Sequence, residues 1–221
     1  MLQAERLTKR FPGAPAPAVQ DVSIELKPGM RLGVTGPSGC GKSTLAGMLA
    51  LLIPADAGRI TIDGQEAKRF GFKAPPHLRR SVQLLWQSPA EATDPRMRLR
   101  EMIGESVATV KGDPAEAVPR LSDLVGLSHE LLERFPHEVS GGQLQRACLA
   151  RALGTQPKYL LADEATSMLD TSSQANLLHT LAGIQQSEGV GILLITHDHT
   201  LAEHWCDEVQ PFSDLQATVA S

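Results

Sequence analysis

A glycine-rich stretch, GPSGCGKST at residues 36–44, has the composition and spacing to bind phosphate groups. Glycines let backbone N–H groups point at an anion, and the start of a following helix adds its positive dipole end. The stretch matches G-x-x-x-x-G-K-[ST], in which the lysine reaches the β- and γ-phosphates of a nucleotide and the next hydroxyl binds Mg²⁺. We therefore predict a nucleotide phosphate site lined by Gly36, Pro37, Ser38, Gly39, Cys40, Gly41, Lys42, Ser43 and Thr44.

Two adjacent carboxylates end the apolar stretch YLLADE at residues 159–164. Adjacent acids at a strand tip are typical of a solvated loop. In a chain that also has a phosphate-binding loop, however, the two carboxylates could take separate roles in nucleotide hydrolysis. Asp163 would then hold a magnesium-bound water, and Glu164 would polarise the attacking water.

The patterns around these residues predict the elements that this chemistry needs. A short buried strand at residues 30–35 enters the glycine loop, and a helix follows it. Apolar strands are predicted at 159–162 and 191–196, each after a helical pattern, which is typical of a mainly parallel sheet flanked by helices. A small antiparallel sheet is predicted from alternating patterns at residues 2–8, 19–26 and 58–64, the last of which ends in an Asp-Gly turn.

The region from about residue 90 to residue 136 has helical, charge-rich and proline-punctuated patterns without strand alternation. It predicts a helical insertion between two strands of the sheet. We expect an α/β protein with a P-loop NTPase core, forming a single domain over 1–221. Its core and antiparallel β subdomain would comprise 1–88 and 155–221, and its helical subdomain about 89–154.

The composition is that of an ordinary globular protein, with 221 residues, 42% of them hydrophobic, and a net charge of -4. This charge argues against a surface that coats nucleic acid, so no nucleic-acid partner is expected. Cys40, Cys148 and Cys206 are too scattered for a disulfide framework or a CxxC metal pair, which favours reduced thiols in a cytoplasmic protein. No signal peptide is predicted, and no apolar stretch approaches the ~20 residues of a membrane span.

The chain resembles the nucleotide-binding subunit of ATP-binding cassette (ABC) transporters over nearly its whole length. Besides the phosphate loop, the resemblance rests on VSGGQ at 139–143, ATSMLD at 165–170, ITHD at 195–198 and the glutamine of LLWQSP. These resemble, in that order, the signature motif (usually LSGGQ), the D-loop, the switch-histidine motif and the Q-loop. Phe11 matches the aromatic residue that stacks on adenine in this family, although a residue of this kind could also pack on the small sheet.

The resemblance implies a nucleotide site that two chains share. Two ATP-binding subunits meet head to tail, and each signature loop caps the ATP held in the other's phosphate loop. Ser140 and the backbone N–H groups of Gly141 and Gly142 would meet a γ-phosphate of the partner chain, with the helix dipole pointing at the anion. Gln143 and Asp170 belong to the same set of nucleotide-contacting residues.

The resemblance also implies the roles of the catalytic residues. In a chain without these motifs, His197 would be typical of a satisfied loop histidine; here it takes the position that contacts the γ-phosphate and the catalytic glutamate. The cofactors implied are ATP and Mg²⁺. The catalytic set is Glu164, His197, Gln87 and Lys42, and the magnesium ligands are Ser43, Gln87 and Asp163.

Residues 86–105 resemble the Q-loop region of peptide and nickel import ATPases, which often read Q-D-P and then N-P-R. Ser88 and Asp94 replace the usual Asp and Asn, and RFPHEVSGGQLQR at 134–146 fits the same group. The chain stops soon after the switch histidine, without the C-terminal extension of many oligopeptide importers. A nickel or metal-chelate importer is therefore favoured over a peptide importer.

The partners implied are a second ABC ATPase, a heterodimer being favoured over a homodimer, together with integral membrane permease subunits and an extracytoplasmic solute-binding protein. The chain would lie peripherally on the cytoplasmic face of the inner membrane. Three alternatives stay open: an importer of another small solute, a non-transport ABC ATPase of translation or DNA repair, and a nucleotide kinase. The non-transport types usually carry two cassettes or a long coiled coil, and a kinase would leave VSGGQ unexplained.

Overall fold

The computed structural model describes residues 1–167 and 170–216. Two residues of the predicted D-loop, 168 and 169, and residues 217–221 lie outside the described part. The described chain forms two compact units. The first comprises Met1–Leu84, Lys158–Asp163 and the described residues from Val190 onward, and the second comprises Leu85–Pro157 and Glu164–Gly189.

The secondary structure alternates between strands and helices along the chain. The strands of the described residues are β1 (Leu2–Lys9), β2 (Val19–Leu26), β3 (Arg31–Thr35), β4 (Ala57–Ile62), β5 (Gln65–Glu66), β6 (Val82–Leu85), β7 (Tyr159–Asp163), β8 (Gly191–Thr196) and β9 (Glu208–Pro211). The helices are α1 (Lys42–Leu49), α2 (Pro76–Ser81), α3 (Leu99–Ala108), α4 (Pro114–Leu124), α5 (Gly141–Gly154), α6 (Thr171–Glu188), α7 (His199–Trp205) and α8 (Phe212–Leu215).

The predicted antiparallel sheet is confirmed, with the strand order β2-β1-β4-β5. In register, Leu2 of β1 lies opposite Leu26 of β2 and Ile62 of β4. All three side chains are buried, because alternate positions of each strand face the core. The predicted Asp-Gly turn joins β4 to β5, and its two residues have φ values of 51° and 80°, as a two-residue hairpin of this type requires.

The predicted parallel sheet is also confirmed, with the strand order β6-β7-β8-β3-β9. Strand β8 pairs in parallel with β7 on one side and with β3 on the other, and β3 also pairs with β9. Every residue of β7 and β8 is buried, as expected for central parallel strands covered on both faces. Strand β9 was not predicted, because EVQP is short and mostly half-exposed.

Residues 90–136, all of them described, contain helices α3 and α4 and short 3-10 turns but no strand. Helix α4 is capped by Asp113, whose carboxylate accepts the N–H of Ala115 at 2.9 Å. The contacts group Glu164–Gly189 with this second unit, whereas the predicted core included all of 155–221. The division of the chain into a core and a helical subdomain stays a prediction.

No helix in the described ranges combines the length and the apolar character needed to cross a lipid bilayer.

Candidate functional site

Three adjacent parallel strands bring the predicted phosphate chemistry of the first unit to one edge of the sheet. Thr35, the last residue of β3, pairs with Thr196, the last residue of β8. Asp163, the last residue of β7, pairs with Ile195. The phosphate loop, Asp163 and His197 therefore all lie at the carboxyl ends of neighbouring strands, where open α/β sheets bind their ligands.

The phosphate loop closes on itself through Lys42. This side chain is only 3% exposed, and its Nζ donates hydrogen bonds to the carbonyls of Gly36 and Pro37, both at 2.8 Å. Gly41 precedes helix α1 with a φ of 116° and without a side-chain cap. A Cβ there would lie 1.9 Å from the carbonyl oxygen of Ala18, so only glycine fits.

A cavity of about 590 Å³ lies beside the phosphate loop in the first unit. Gly36, Pro37 and Cys40 line it together with His197, so the structure brings the loop and the predicted switch histidine together. Phe212, which is 1% exposed, also lines it and was not singled out from the sequence. The sequence gives only a weak signal for Phe212, because β9 and α8 are short and contain few apolar residues.

The remaining predicted residues of the first unit are more open to solvent. Ser43 is exposed and Thr44 is half-buried. Phe11 lies in the loop after β1 with 41% of its surface exposed, and the Nζ of Lys9 is 5.7 Å from its ring centroid. This exposed ring is available for stacking, and its contact with adenine stays a prediction.

The predicted magnesium ligands all offer oxygen atoms. Ser43 has a hydroxyl, Asp163 a carboxylate that is 5% exposed at the tip of β7, and Gln87 a side-chain carbonyl. Mg²⁺ prefers hard oxygen ligands, so the chemistry of this donor set fits the ion.

Glu164 has an unusual backbone conformation, with a φ of 46° in the left-handed region. Non-glycine residues seldom adopt this region, but six others among the described residues also have a positive φ, so the conformation alone does not mark a site. Its backbone carbonyl accepts the Oγ hydrogen of Ser167 at 2.8 Å. The amide Nε2 of Gln87 lies 3.4 Å from both Glu164 Oε2 and Ser167 Oγ. The second unit therefore brings Gln87 and Glu164 together.

The predicted signature loop starts helix α5 with a closed capping box. Ser140 is the N-cap, and its Oγ accepts the N–H of Gln143 at 3.2 Å. In return, Gln143 Oε1 accepts the N–H of Ser140 at 2.9 Å. A Cβ on Gly141 would meet no atom within 4 Å, so the first turn of α5 is open on that side. The hydroxyl hydrogen of Ser140 remains able to donate to an anion.

A cavity of about 330 Å³ opens beside Ser140, Gly142 and Gln143. Arg146 also lines it, and its Nη1 donates to the carbonyls of Val125 and Gly126, each at 3.0 Å. Arg146 was not among the predicted site residues, although it lies only three residues after the signature motif in the sequence.

Asp170 serves as the N-cap of helix α6. Its carboxylate accepts hydrogen bonds from the backbone N–H groups of Ser172 and Ser173, both at 3.0 Å, and from their hydroxyls. The side-chain hydrogen bonds of Ser172 and then of Ser173 hold the pKa of this carboxyl well below its usual range. The structure thus gives Asp170 a local partner in α6, and its predicted contact with nucleotide stays a prediction.

Comparison with known proteins identifies the family of these motifs. The sequence profile described as ABC transporter matches residues 19–167. The chain is 39% identical to a glutathione import ATP-binding protein of Pectobacterium atrosepticum, over 92% of this chain and 35% of that protein. It is 40% identical to a di/tripeptide transport ATP-binding protein of Pseudomonas aeruginosa, over 87% and 61% respectively. It is 38% identical to a nickel import ATP-binding protein of Escherichia coli, over 90% and 75%.

Solved structures support the fold. A dimeric ATP-binding cassette in a post-hydrolysis state, bound to ADP and Pi, superposes with a TM-score of 0.87 at 22% identity, covering 98% of this chain and 96% of that one. The cbiO1 cassette from Clostridium perfringens superposes with a TM-score of 0.82 at 24% identity, covering 95% and 83%. The predicted α/β fold class is confirmed. Among the curated relatives, the chain spans between 35% and 62% of the length of the first four.

Proposed function

The chain belongs to the ABC transporter family, and from this premise we propose that it is the ATP-binding and ATP-hydrolysing subunit of an importer. One observation carries the proposal. The phosphate loop, Asp163 and His197 lie at the carboxyl ends of three neighbouring parallel strands, β3, β7 and β8. A phosphate loop, a buried carboxylate suited to hold a metal ion and a histidine at one sheet edge support a role in nucleotide hydrolysis.

We assign binding of ATP to the phosphate loop. The backbone N–H groups of the loop and the start of α1 face the phosphates, and Lys42 moves from the loop carbonyls to the β- and γ-phosphates. Phe11 stacks on the adenine, and its exposed ring supports this assignment. Ser43, Gln87 and Asp163 would hold Mg²⁺, which would supply positive charge to the phosphate oxygens.

Hydrolysis requires a base for the attacking water, and we assign this role to Glu164. Its carboxylate accepts a proton as the water oxygen bonds to the γ-phosphorus and the bond to the bridging oxygen of ADP breaks, releasing inorganic phosphate. Gln87 orients the carboxylate from its present 3.4 Å distance, and His197 contacts the γ-phosphate. The contact with Gln87 supports a functional position for this side chain.

The experiment that tests this function is Glu164→Gln. The amide keeps the size of the side chain but cannot accept the proton, so hydrolysis should fall roughly 10²–10⁴-fold, the usual contribution of a general base. ATP affinity should persist, because Lys42, Ser43 and Asp163 are unchanged. Hydrolysis is measured with the chain assembled with its transport partners, and Glu164→Asp is the matched variant that retains a carboxylate. Near-normal turnover of Glu164→Gln would remove Glu164 from this role.

We propose that the importer contains a second ABC ATPase, integral membrane permease subunits and an extracytoplasmic solute-binding protein. The cargo proposed is a small peptide or a nickel chelate, because the similar import ATPases are named for glutathione, di/tripeptides and nickel. The chain would act peripherally on the cytoplasmic face of the membrane. Isolation of the tagged chain from membrane fractions should recover integral membrane proteins, whereas recovery of ribosomes or DNA repair proteins instead would contradict an importer.

A further inference from the structure

Helix α5, which begins at the signature loop, also holds the backbone that follows Gln87. Three of its side chains reach carbonyl groups of that segment. Gln145 Nε2 donates a hydrogen bond to the carbonyl of Trp86 at 3.4 Å. The Cys148 thiol contacts the carbonyl of Pro89 at 3.8 Å. Arg151 Nη1 donates a hydrogen bond to the carbonyl of Ala92. The three donors are spaced three residues apart on α5, and the three acceptors are spaced three apart in the segment 86–92.

Burial makes these contacts structurally significant. Gln145 is 2% exposed, and a buried amide needs a polar partner to offset its loss of hydration. Cys148 is 4% exposed, and its thiol is only a weak donor, so its contact adds mainly packing. The chosen partners lie in a segment with little regular structure of its own. After β6 ends at Leu85, only a four-residue 3-10 turn forms before α3. The path of this backbone therefore depends on α5.

Gln87 has weak side-chain anchors of its own. Its hydrogen bonds to Glu164 and Ser167 are both 3.4 Å long, the same length as the bond from Gln145 to Trp86. The difference is burial: Gln87 is exposed, so water competes for its amide, whereas Gln145 is buried. The position of the Gln87 amide is then determined mainly by the backbone on either side of it. Gln145 contacts this backbone at Trp86, and Cys148 contacts it at Pro89.

We infer that Gln145, Cys148 and Arg151 are positioning residues for Gln87. They bind the segment 86–92 to the same helix that carries Ser140 at its start. This inference rests on the proposed function, in which Gln87 serves the ATP of its own chain and Ser140 serves that of the partner. Helix α5 thereby connects the two nucleotide sites of a dimer, since a shift of the signature loop also shifts the backbone of Gln87.

The test uses the full chain with its transport partners and compares Arg151→Met with Arg151→Lys. Methionine keeps much of the aliphatic stem but removes every donor, whereas lysine retains an ammonium group that can donate to the Ala92 carbonyl. Arg151→Met should accelerate hydrogen exchange of the backbone amides in 86–93 about tenfold. It should lower kcat for ATP hydrolysis about tenfold, with the KM for ATP changing less than twofold, because the phosphate loop is untouched. In Arg151→Lys, both the slow hydrogen exchange in 86–93 and kcat should be close to those of the unaltered chain.

Arg146→Met is the matched control for hydrogen exchange. Arg146 lies on the same helix, but its guanidinium donates to the carbonyls of Val125 and Gly126. Hydrogen exchange in 86–93 should therefore stay unchanged. The inference is overturned if Arg151→Met leaves exchange in 86–93 unchanged, if lysine fails to restore kcat, or if Arg146→Met accelerates exchange there equally. Absence of hydrolysis by the unaltered assembly would instead refute the proposed function, and hydrogen exchange would still report on the contacts from α5.

Discussion

The two glycine-rich loops of this chain, the phosphate loop at 36–44 and the signature loop at 139–143, start helices in different ways. Helix α1 follows Gly41 without a side-chain cap, and a buried lysine lies inside its loop. Helix α5 follows Ser140 with a closed capping box, and its loop has no cation. The first loop has both the dipole and the charge to bind an anion. The second loop has the dipole and a hydroxyl, which suits it to complete a site whose charge comes from another chain.

The largest effect is expected from variants that disable one loop each, Lys42→Ala and Ser140→Arg. If the signature loop acts across an interface, these variants damage one composite site from different chains. For a homodimer, a mixture of the two inactive variants contains dimers with one intact site, so ATP-dependent dimerisation should reappear on mixing and in neither variant alone. Analytical ultracentrifugation with ATP measures this.

In a heterodimer, the same variants should separate the two sites. Ser140→Arg should silence the ATP bound by the partner's phosphate loop, and Lys42→Ala should silence the other ATP, as followed by site-specific nucleotide trapping. If Ser140→Arg instead abolished only the site that contains its own Lys42, the signature loop would act within one chain. The proposed difference between the two loops would then be wrong.

The next largest effect is expected from adding a methyl group to each loop. Gly41→Ala places a Cβ 1.9 Å from a backbone oxygen at a φ of 116°. It should lower the free energy of unfolding by about 3 kcal/mol, measured by urea denaturation. Gly141→Ala meets no atom within 4 Å and should change it by less than about 0.5 kcal/mol. Equal losses in the two variants would show that the loops do not differ in backbone strain.

A smaller effect is expected from removing the cap that distinguishes the signature loop. Ser140→Ala deletes the acceptor for the Gln143 N–H and should lower the free energy of unfolding by about 1 kcal/mol. Ser140→Thr retains a hydroxyl oxygen and should lose less. If alanine and threonine are equally stable at this position, the capping box contributes nothing to α5.

The smallest effect is expected at the start of a third helix, α6, where the carboxylate of Asp170 accepts the hydrogen bonds of the first backbone N–H groups. The pKa of Asp170 is depressed in the folded state by Ser172 and Ser173, so its stabilisation is present above the usual carboxyl pKa of 3.8 and is lost as the pH falls below it. The difference in unfolding free energy between the unaltered chain and Asp170→Asn should therefore shrink in acid. A difference that stays constant down to low pH would contradict this assignment.

Local patterns in the sequence were sufficient for much of the fold. The alternating strands and the Asp-Gly turn predicted the antiparallel sheet, and the apolar runs at 159–162 and 191–196 predicted central parallel strands. These patterns succeed because burial repeats with the period of the element. Strand β9 escaped prediction because its four residues carry little periodic signal, and with it the cavity wall that Phe212 forms was missed.

The sequence by itself determined which groups are available for chemistry: a glycine loop with Lys42, consecutive carboxylates at Asp163 and Glu164, and a second loop headed by Ser140. Only the tertiary structure decided the strand order β7-β8-β3, which aligns the phosphate loop, Asp163 and His197 at one edge. It also decided the contacts from α5 to the backbone beyond Gln87. The physical reason is that both depend on pairings between residues far apart along the chain, and no local period records which distant partner a strand or a buried donor will find.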